Sequence, residues 1–600
     1  MPEHVLLHAA LLEGRGQVEL SRLKDRIRSS RELVRVAGEL STREILQTEL
    51  SLINVVDEGK DRFAPIHLHY SPQDKTLGAD QRKAVSFILY SPDQIMGIRG
   101  LAGTGKSRTL KELLRAFKEA GRQTVTCAPT GSATENLRRD GLPSITLQRL
   151  LVDEALQAGL TRQSVIVVDE AGMVSTDDMR KLFSLAVAKQ ARVILCGDTG
   201  QHTAVTRGDA LRILEKYSRY SFAELTENWR QKSAPQYQKA VLKAARQQSQ
   251  QAFELLERMG AVIESENVHQ QAADAYIQSL KTGKTALLVS PTWNEIYSLT
   301  DCVRAELKRH RLLGSEDQTI TVFDSQSWTA TQKKNLRNYI PGHVIVFHRR
   351  SGPYAAHESL TVLGIETKGL RVRQENGQEL VFRPHSGKTF DVCEFKALTV
   401  APGDRLLLQA GCKANGQQFV NGEIVQVKAI EQGEIRLSDG RRLPRNLRRF
   451  THGYAVTSHA AQSHTVQDVF VVASSPSVPA IHRRQFYVDI SRGKERCRIF
   501  TDDRNLLRQK IGDPKERKAA IELSGVEGAL VQAGLIQAPR QGPPEPEETR
   551  APRFRHWRGI PAGSLRRGRS LARVIRQLNS LAKRVRTGLR QDHSRGIRIC

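Results

Sequence analysis

Between Leu77 and about Tyr220 the chain repeats one pattern, a short apolar run, then a polar or glycine-bearing loop, then leucines at helical spacing. The runs at 95–98, 124–128, 165–168 and 192–196 are short and β-rich. They read as strands covered on both sides, and their alternation with helices predicts a parallel sheet sandwiched between helical layers. A second alternating region opens at 285–292 and resumes near Gly453, at 470–473 and at 497–500. Between its halves, over 344–450, short runs such as 344–347, 405–408 and 423–428 are separated by Asn376-Gly377, Asn415-Gly416, Asn421-Gly422 and Asp439-Gly440. Such evenly spaced turn pairs predict a small β-barrel or hairpin module inserted in the second α/β domain.

The flanks read differently. Residues 1–72 are charged and helix-patterned through Leu20, Leu23, Ile27, Leu33, Val34 and Val36, and the stretch 42–53 has the spacing of an amphipathic helix. His67 and His69 alternate, as on one strand face, with no third ligand near, and read as ordinary surface or core histidines. Residues 538–553 are proline-rich and polar, as in an extended linker. Beyond them, 550–600 holds fifteen Lys/Arg against the single acid Asp592. There Leu571, Val574, Ile575, Leu578, Leu581, Val585 and Leu589 recur at helical spacing, which predicts a basic amphipathic helix suited to a nucleic-acid backbone, an acidic partner or a membrane surface. The expected domains are 1–72 (helical), 73–224 (first α/β), 225–343 with 451–515 (second α/β), 344–450 (β-rich insertion), 516–553 (helical segment and linker) and 554–600 (basic tail).

Charge narrows the class of partner. The 92 Lys+Arg against 64 Asp+Glu leave a net charge of +28, which favours a polyanion such as nucleic acid. The seven cysteines are scattered, with no Cys-x-x-Cys pair, so neither a disulfide framework nor a zinc site is expected, and Cys127 and Cys196 read as core residues. No apolar run approaches the ~18 residues of a membrane span, and the first residues, with Glu3, lack the cationic start of a signal peptide. The expected location is cytoplasmic.

The candidate chemistry sits in the loops after the predicted strands. Gly100-Leu-Ala-Gly-Thr-Gly105-Lys106-Ser107 fits the phosphate-binding pattern G-x-x-x-x-G-K-[ST] in full. Gly100, Gly103 and Gly105 are expected at positive φ, so that successive N–H groups converge on phosphate oxygens at a helix N-terminus. Lys106 reaches the β- and γ-phosphates and Ser107 ligates Mg²⁺. Asp169 and Glu170 end the apolar run at 165–168. Asp169 is suited to hold the metal's water shell, and Glu170 to deprotonate an attacking water. Gln201, in Gly197-Asp198-Thr-Gly-Gln201, is placed to sense the γ-phosphate, and Arg230 and Arg492 offer cations to the charge that develops in phosphoryl transfer.

In order along the chain stand Gln81, the Gly100–Ser107 loop, Ala128-Pro129-Thr130-Gly131, Asp169-Glu170-Ala171-Gly172, Gly197-Asp198-x-x-Gln201, Glu227-Asn228-Trp229-Arg230, Asn421-Gly422-Glu423, Gly453-Tyr454-Ala455-x-Thr457-x-His459-x-x-Gln462-Ser463-x-Thr465 and Tyr487-Val488-x-x-Ser491-Arg492. As a set they resemble the motifs of superfamily 1B, RecD-like DNA helicases, and within that group the helicase portion of MobF-type conjugative relaxases. Gly38-Glu-Leu-Ser-Thr-Arg-Glu-Ile-Leu46 resembles the segment that precedes the motor in those proteins. The resemblance implies an α/β fold with two RecA-like P-loop motor domains, a small β-barrel insertion in the second, a helical N-terminal domain and a basic helical tail. It implies ATP and Mg²⁺ as cofactors and 5′→3′ movement on single-stranded DNA or at a duplex fork. A separate relaxase or relaxosome proteins are implied partners, and the basic tail is a candidate contact to DNA or to an acidic surface.

Carried over, the nucleotide contacts are Gln81 (adenine), Gly100, Gly103, Thr104, Gly105, Lys106, Ser107 and Arg108. Arg230 and Arg492 are the implied fingers, and Pro129, Thr130, Thr457 and His459 the implied lining of the strand track. Ser463 stands where the family carries glycine, and the amino-terminal nicking domain of the family has no counterpart in these 600 residues, so no relaxase activity is expected. The alternatives on the same motifs are a RecD-like repair helicase and a DNA-binding accessory homologue that does not unwind.

Overall fold

The computed structural model describes residues 1–14, 16–204, 208–385, 387–414, 416–431, 433–462, 464–514 and 518–540. The chain divides into two compact units, Met1–Arg230 with the stretch returning from Pro514, and Gln231–Asp513.

The first unit is built on a six-stranded sheet in the order Ser144–Thr146, Gln123–Ala128, Ser164–Val168, Arg192–Gly197, Ile95–Gly100, Ser221–Leu225. Every pairing in it is parallel. The four runs read as strands from the sequence are its centre, and the two edge strands are additions. Alternation explains the layers. Val165, Val167 and Ile194 pack with Leu113 and Phe117 on one face, and Ile166, Val168 and Val193 with Leu182 and Phe183 on the other. Cys127 and Cys196 are buried in these layers, as expected of core residues.

The N-terminal region is not wholly helical. Leu33–Val36 and Glu39–Thr42 form an antiparallel hairpin, where helix was expected. Its turn, Ala37-Gly38, has both residues at positive φ, the geometry of a tight hairpin turn, and the β-branched Val34 and Val36 favour the strand. The helix Arg43–Glu58 is capped by Thr42 and realises the amphipathic stretch. His67 and His69 lie on irregular chain instead of a strand, with the His67 ring edge-on to Tyr70. Ala520–Glu522 and Val526–Gln532 return to this region, where Ile521, Val526 and Leu530 pack with Leu46, Leu50, Ile213 and Tyr217. Only 538–540 of the proline-rich linker and none of the basic tail fall within the described residues.

The second unit carries a five-stranded sheet, entirely parallel, in the order Ala455–Val456, Ala286–Val289, Val466–Val472, Gly493–Thr501, Val262–Glu264. Both units thus have the RecA-like α/β arrangement. The inserted β region differs from the single module expected over 344–450. Among the described residues it comprises three antiparallel sheets, one of six strands that opens at Gln318–Ser325, one of five that closes at Phe450–His452, and the two-stranded pair Cys412–Ala414 with Gln417–Phe419. The strand Gln318–Ser325 pairs along its whole length with Phe390–Val400. No turn pair flags it in the sequence, because its partner is far along the chain. Gly377, Gly422 and Gly440 take positive φ, as their Asn/Asp-Gly turns require.

Candidate nucleotide site and strand-binding edge

The strand Ile95–Gly100 runs through a loop into the helix Lys106–Glu119. Gly103 and Gly105 have φ of 82° and 78°. Gly100, expected at positive φ, is instead the last residue of the strand, and glycine is required there for room. A Cβ at 100 would lie 2.8 Å from both Lys106 Cγ and Thr104 Oγ1. The Lys106 ammonium donates to Gly100 O (2.6 Å) and Leu101 O (3.2 Å), so the lysine folds back across the mouth of the loop. Arg108 makes a two-pronged pair with Asp74 (2.7 and 3.1 Å), and that pair together with the Thr76 hydroxyl holds the Asp74 carboxyl at about 2.

Gln81 is 1% exposed and committed at both ends of its amide. Oε1 accepts from Gly78 N (2.8 Å), closing the N-terminus of the helix Ala79–Tyr90, while Nε2 donates to Thr104 O (3.0 Å) and Gly105 O (3.4 Å). The residue implied as an adenine contact therefore braces the phosphate loop. The other side of the loop meets Asn228–Arg230. Gly103 O accepts from Trp229 N (2.8 Å) and Arg230 N (3.2 Å), and Asn228 Nδ2 donates to Ala102 O (3.3 Å). Asp80, which the sequence did not single out, fixes the approach of this segment by accepting from Thr226 N (2.8 Å) and Glu227 N (3.0 Å).

Asp169 leaves the fully buried strand Ser164–Val168 with its N–H on Cys127 O (2.9 Å). Its Oδ1 is buried without a hydrogen-bond partner among the described residues. Burial pushes its pKa up, and the positive charge of Lys106 opposes the shift. A buried carboxylate oxygen left without a hydrogen bond is costly unless a ligand completes it, which fits this strand end to a cation. Glu170 follows at φ 51°, ψ 38°, a left-handed conformation disfavoured for glutamate and of the kind that clusters at functional sites. Two glycines bring the next loop close. A Cβ on Gly172 would lie 3.2 Å from Asp198 O, and one on Gly197 would lie 3.1 Å from Gly172 N. Backbone thus abuts backbone, and Gln201 is held in that junction by Asp198 Oδ2 (3.0 Å).

Lys106, Asp169, Glu170, Gln201 and Arg230 are accordingly carried on loops at the carboxyl edge of one parallel sheet, where ligands of such sheets bind. Pro129 and Thr130 leave the same edge. The Thr130 hydroxyl accepts from Ala133 N (3.1 Å) and caps the helix Gly131–Arg139.

In the second unit Thr457 follows the strand Ala455–Val456 and caps the short helix Ser458–Ala461 through Ala460 N (3.4 Å), leaving His459 exposed. Arg492 is 2% exposed. Its guanidinium donates to Val488 O (2.9 Å), to Ser491 Oγ (2.7 Å) and to Gln462 O, so it braces the loop that carries Thr457 and His459. Asp489 is also buried there and is pushed up to about 7, with Ser458 and Arg492 acting against the shift. Ser463 lies outside the described residues.

A family described as an AAA domain matches residues 76–267. The probable conjugal transfer protein TraA of Sinorhizobium fredii is 24% identical over 487 residues, covering 80% of this chain and 37% of its own. The multifunctional conjugation protein TraI of Escherichia coli K12 is 24% identical over 535 residues, covering 78% and 30%. The chain spans about a third of the length of these relatives. A shorter match, 29% over 166 residues, covers 27% of this chain and 23% of the ATP-dependent RecD2 DNA helicase of Deinococcus radiodurans.

The chain is similar to RecD-like helicases of superfamily 1B.

Among solved structures, Pif1 helicase from Bacteroides with ADP-AlF3 and ssDNA is 16% identical, with a TM-score of 0.39, over 78% of this RecD-like chain and all of the other. No helix among the described residues is long and apolar enough to cross a membrane.

Proposed function

We propose that this RecD-like chain is an ATP-dependent DNA helicase or translocase that moves 5′→3′ on single-stranded DNA in conjugative transfer. The observation that carries the catalytic half of this reading is the buried Oδ1 of Asp169, without a hydrogen-bond partner among the described residues, at the same sheet edge as the glycine-built loop. The broad matches to proteins named for conjugation, against the short match to RecD2, favour transfer over repair.

ATP would be held by the loop from Gly100 to Ser107, and Ser107 and Asp169 would hold Mg²⁺. The metal would supply neutralisation of phosphate charge. The protein's own contributions follow from its geometry. Backbone N–H groups made available by Gly103 and Gly105 cradle phosphate oxygens, and Lys106 exchanges Gly100 O and Leu101 O for phosphate. Glu170, fixed in its left-handed turn, takes the proton of the attacking water. Gln201 lies where loss of the γ-phosphate alters the Gly172–Asp198 junction. Arg230 adjoins Gly103, on the loop itself. For Arg492 to act as a finger, it must exchange its donation to Val488, Gln462 and Ser491 for phosphate, which couples nucleotide to the Thr457–Gln462 loop.

Thr130 and Thr457 each cap a helix just past the end of a parallel strand in their own unit, which supports reading them, with Pro129 and His459, as contacts to the DNA strand. The basic tail and the overall charge of +28 supply salt-sensitive attraction to the backbone. Relaxosome proteins are the proposed partners.

The test is DNA-stimulated ATP hydrolysis, together with unwinding of 5′- and 3′-tailed duplexes side by side. Lys106→Ala and Glu170→Gln are each expected to abolish hydrolysis, and the 5′-tailed substrate alone to be unwound. Full turnover by either variant overturns the catalytic assignment, and unwinding of only the 3′-tailed duplex overturns the direction.

A further inference from the structure

Trp293 is not used by any step above. It is the first residue of the helix Trp293–Arg309, just past the strand Ala286–Val289, and is 37% exposed. Its ring lies 5.9 Å from that of Tyr297, one turn along the helix, with 33° between the planes. The Lys396 ammonium, from the neighbouring β region, sits 3.6 Å from the Tyr297 ring centroid. Tyr297 thus touches both a cation and an indole that is itself partly open to solvent.

The position of these residues follows from strand register. Val289 lies beside Val456 in parallel strands, and Ser290 N donates to Val456 O (3.1 Å). The chain segments that lead to Trp293 and to Thr457 and His459 therefore leave adjacent strand ends at the same edge of the sheet. A solvent-facing indole beside the proposed strand track matches the π-face that every nucleobase presents. The cation–π contact of Lys396 holds Tyr297 in place behind it.

We propose that Trp293, backed by Tyr297 and Lys396, is a stacking step for one base of single-stranded DNA passing the Thr457–His459 edge. The proposal rests on the DNA-binding function proposed above. Stacking adds affinity that does not depend on sequence and releases no counterions, which distinguishes it from the Lys/Arg contacts to the backbone.

The experiment measures binding of the full chain to oligo-dT over a salt series, and to the same oligonucleotide with abasic sites. Trp293→Ala is expected to weaken oligo-dT binding by about tenfold with an unchanged salt slope and thermal midpoint, and Trp293→Phe to recover most of the loss. Abasic sites are expected to weaken the wild type and to leave Trp293→Ala little further affected. Equal affinity of Trp293→Ala and wild type, or losses from the variant and the abasic sites that simply add, overturns the stacking step while the DNA-binding reading stands. If the wild-type chain binds no single strand even at low salt, the functional reading falls and the stacking step falls with it.

Discussion

Gln81→Ala separates two roles for one buried amide. The resemblance to RecD-like helicases implies that Gln81 reads adenine, whereas the structure spends its Nε2 on Thr104 O and Gly105 O and its Oε1 on Gly78 N. Truncation strands the Gly78 N–H and the Thr104 carbonyl in a site where the side chain was 1% exposed. Leaving buried polar groups unpaired costs about 1–3 kcal/mol. If about 2 kcal/mol of this falls on the ordering of the phosphate loop, nucleotide affinity drops roughly thirtyfold. Because the loop holds phosphates and not the base, ATP and GTP should weaken by the same factor. Gln81→Glu should be worse than Gln81→Ala, since it keeps the acceptor for Gly78 but sets a carboxylate against two carbonyls and the incoming triphosphate. The assay is titration of each variant with fluorescent ATP and GTP analogues, alongside thermal melting. A loss confined to ATP, with GTP binding unchanged, would falsify the loop-bracing account and return Gln81 to the base.

Three further perturbations have defined outcomes. Gly103→Ala combines a positive φ with a Cβ 2.6 Å from Arg230 Cβ and 3.0 Å from Asn228 Oδ1, so it should push Asn228–Arg230 off the loop and raise the KM for ATP well beyond the effect of the ~1 kcal/mol backbone penalty alone; an unchanged KM contradicts the contact. Glu522→Ala removes the two-pronged pair of Arg212 with Glu522 (2.6 and 2.8 Å) and leaves the pair with Asp209, and denaturant unfolding should register a loss of about 3–5 kcal/mol. Glu49 sits buried with its carboxylate on Ala520 N and Ile521 N, and burial raises it from 4.5 to about 7. A carboxyl raised on folding contributes stability below its unfolded value and loses that contribution as pH rises through the folded one. Wild-type melting should therefore fall between pH 4.5 and 7 by more than that of Glu49→Gln, and parallel pH curves for the two proteins would contradict the burial argument.

The centre of each sheet was legible in the sequence because strands buried on both faces leave uninterrupted apolar runs, as at Val165–Val168. Edge elements were not. Ser144–Thr146 and Val262–Glu264 are three residues each, too short to show a period, and Gln318–Ser325 finds its partner more than sixty residues later. The hairpin at Leu33–Val36 was misread because its apolar residues also fit a helical spacing, and the signal that decides the case is the Ala37-Gly38 turn. In the site, glycine and charged motif positions fixed which loops matter but not how each residue is used. Gly100 is glycine for space instead of φ, and Gln81 and Arg492 are spent on backbone carbonyls of their own units. Motif spacing carries no record of such commitments, since a residue three turns or two loops away supplies the partner.

These commitments bear on how nucleotide state can travel. Within the first unit, the loops that carry the proposed γ-phosphate groups approach one another closely at glycines: Gly103 at Arg230, Gly172 at Asp198, and Gly197 at Ala171 and Gly172. Close-packed backbone transmits displacement because it has no rotamer to absorb it. A shift of the loop around phosphate must then move Trp229 and Arg230, whose N–H groups hang on Gly103 O, and the next residue, Gln231, begins the second unit. There Gln231 Nε2 donates to Gly493 O (2.5 Å), beside Arg492 in sequence, and Arg492 holds the Gln462 carbonyl at the end of the loop proposed to bind the strand. A covalent and hydrogen-bonded route therefore runs from phosphate loop to strand loop without any step that depends on the relative placement of the two units. Replacing Gln231 by Leu cuts it at one bond. ATP hydrolysis without DNA should persist in that variant while stimulation by DNA declines, and full stimulation would show that the coupling runs elsewhere.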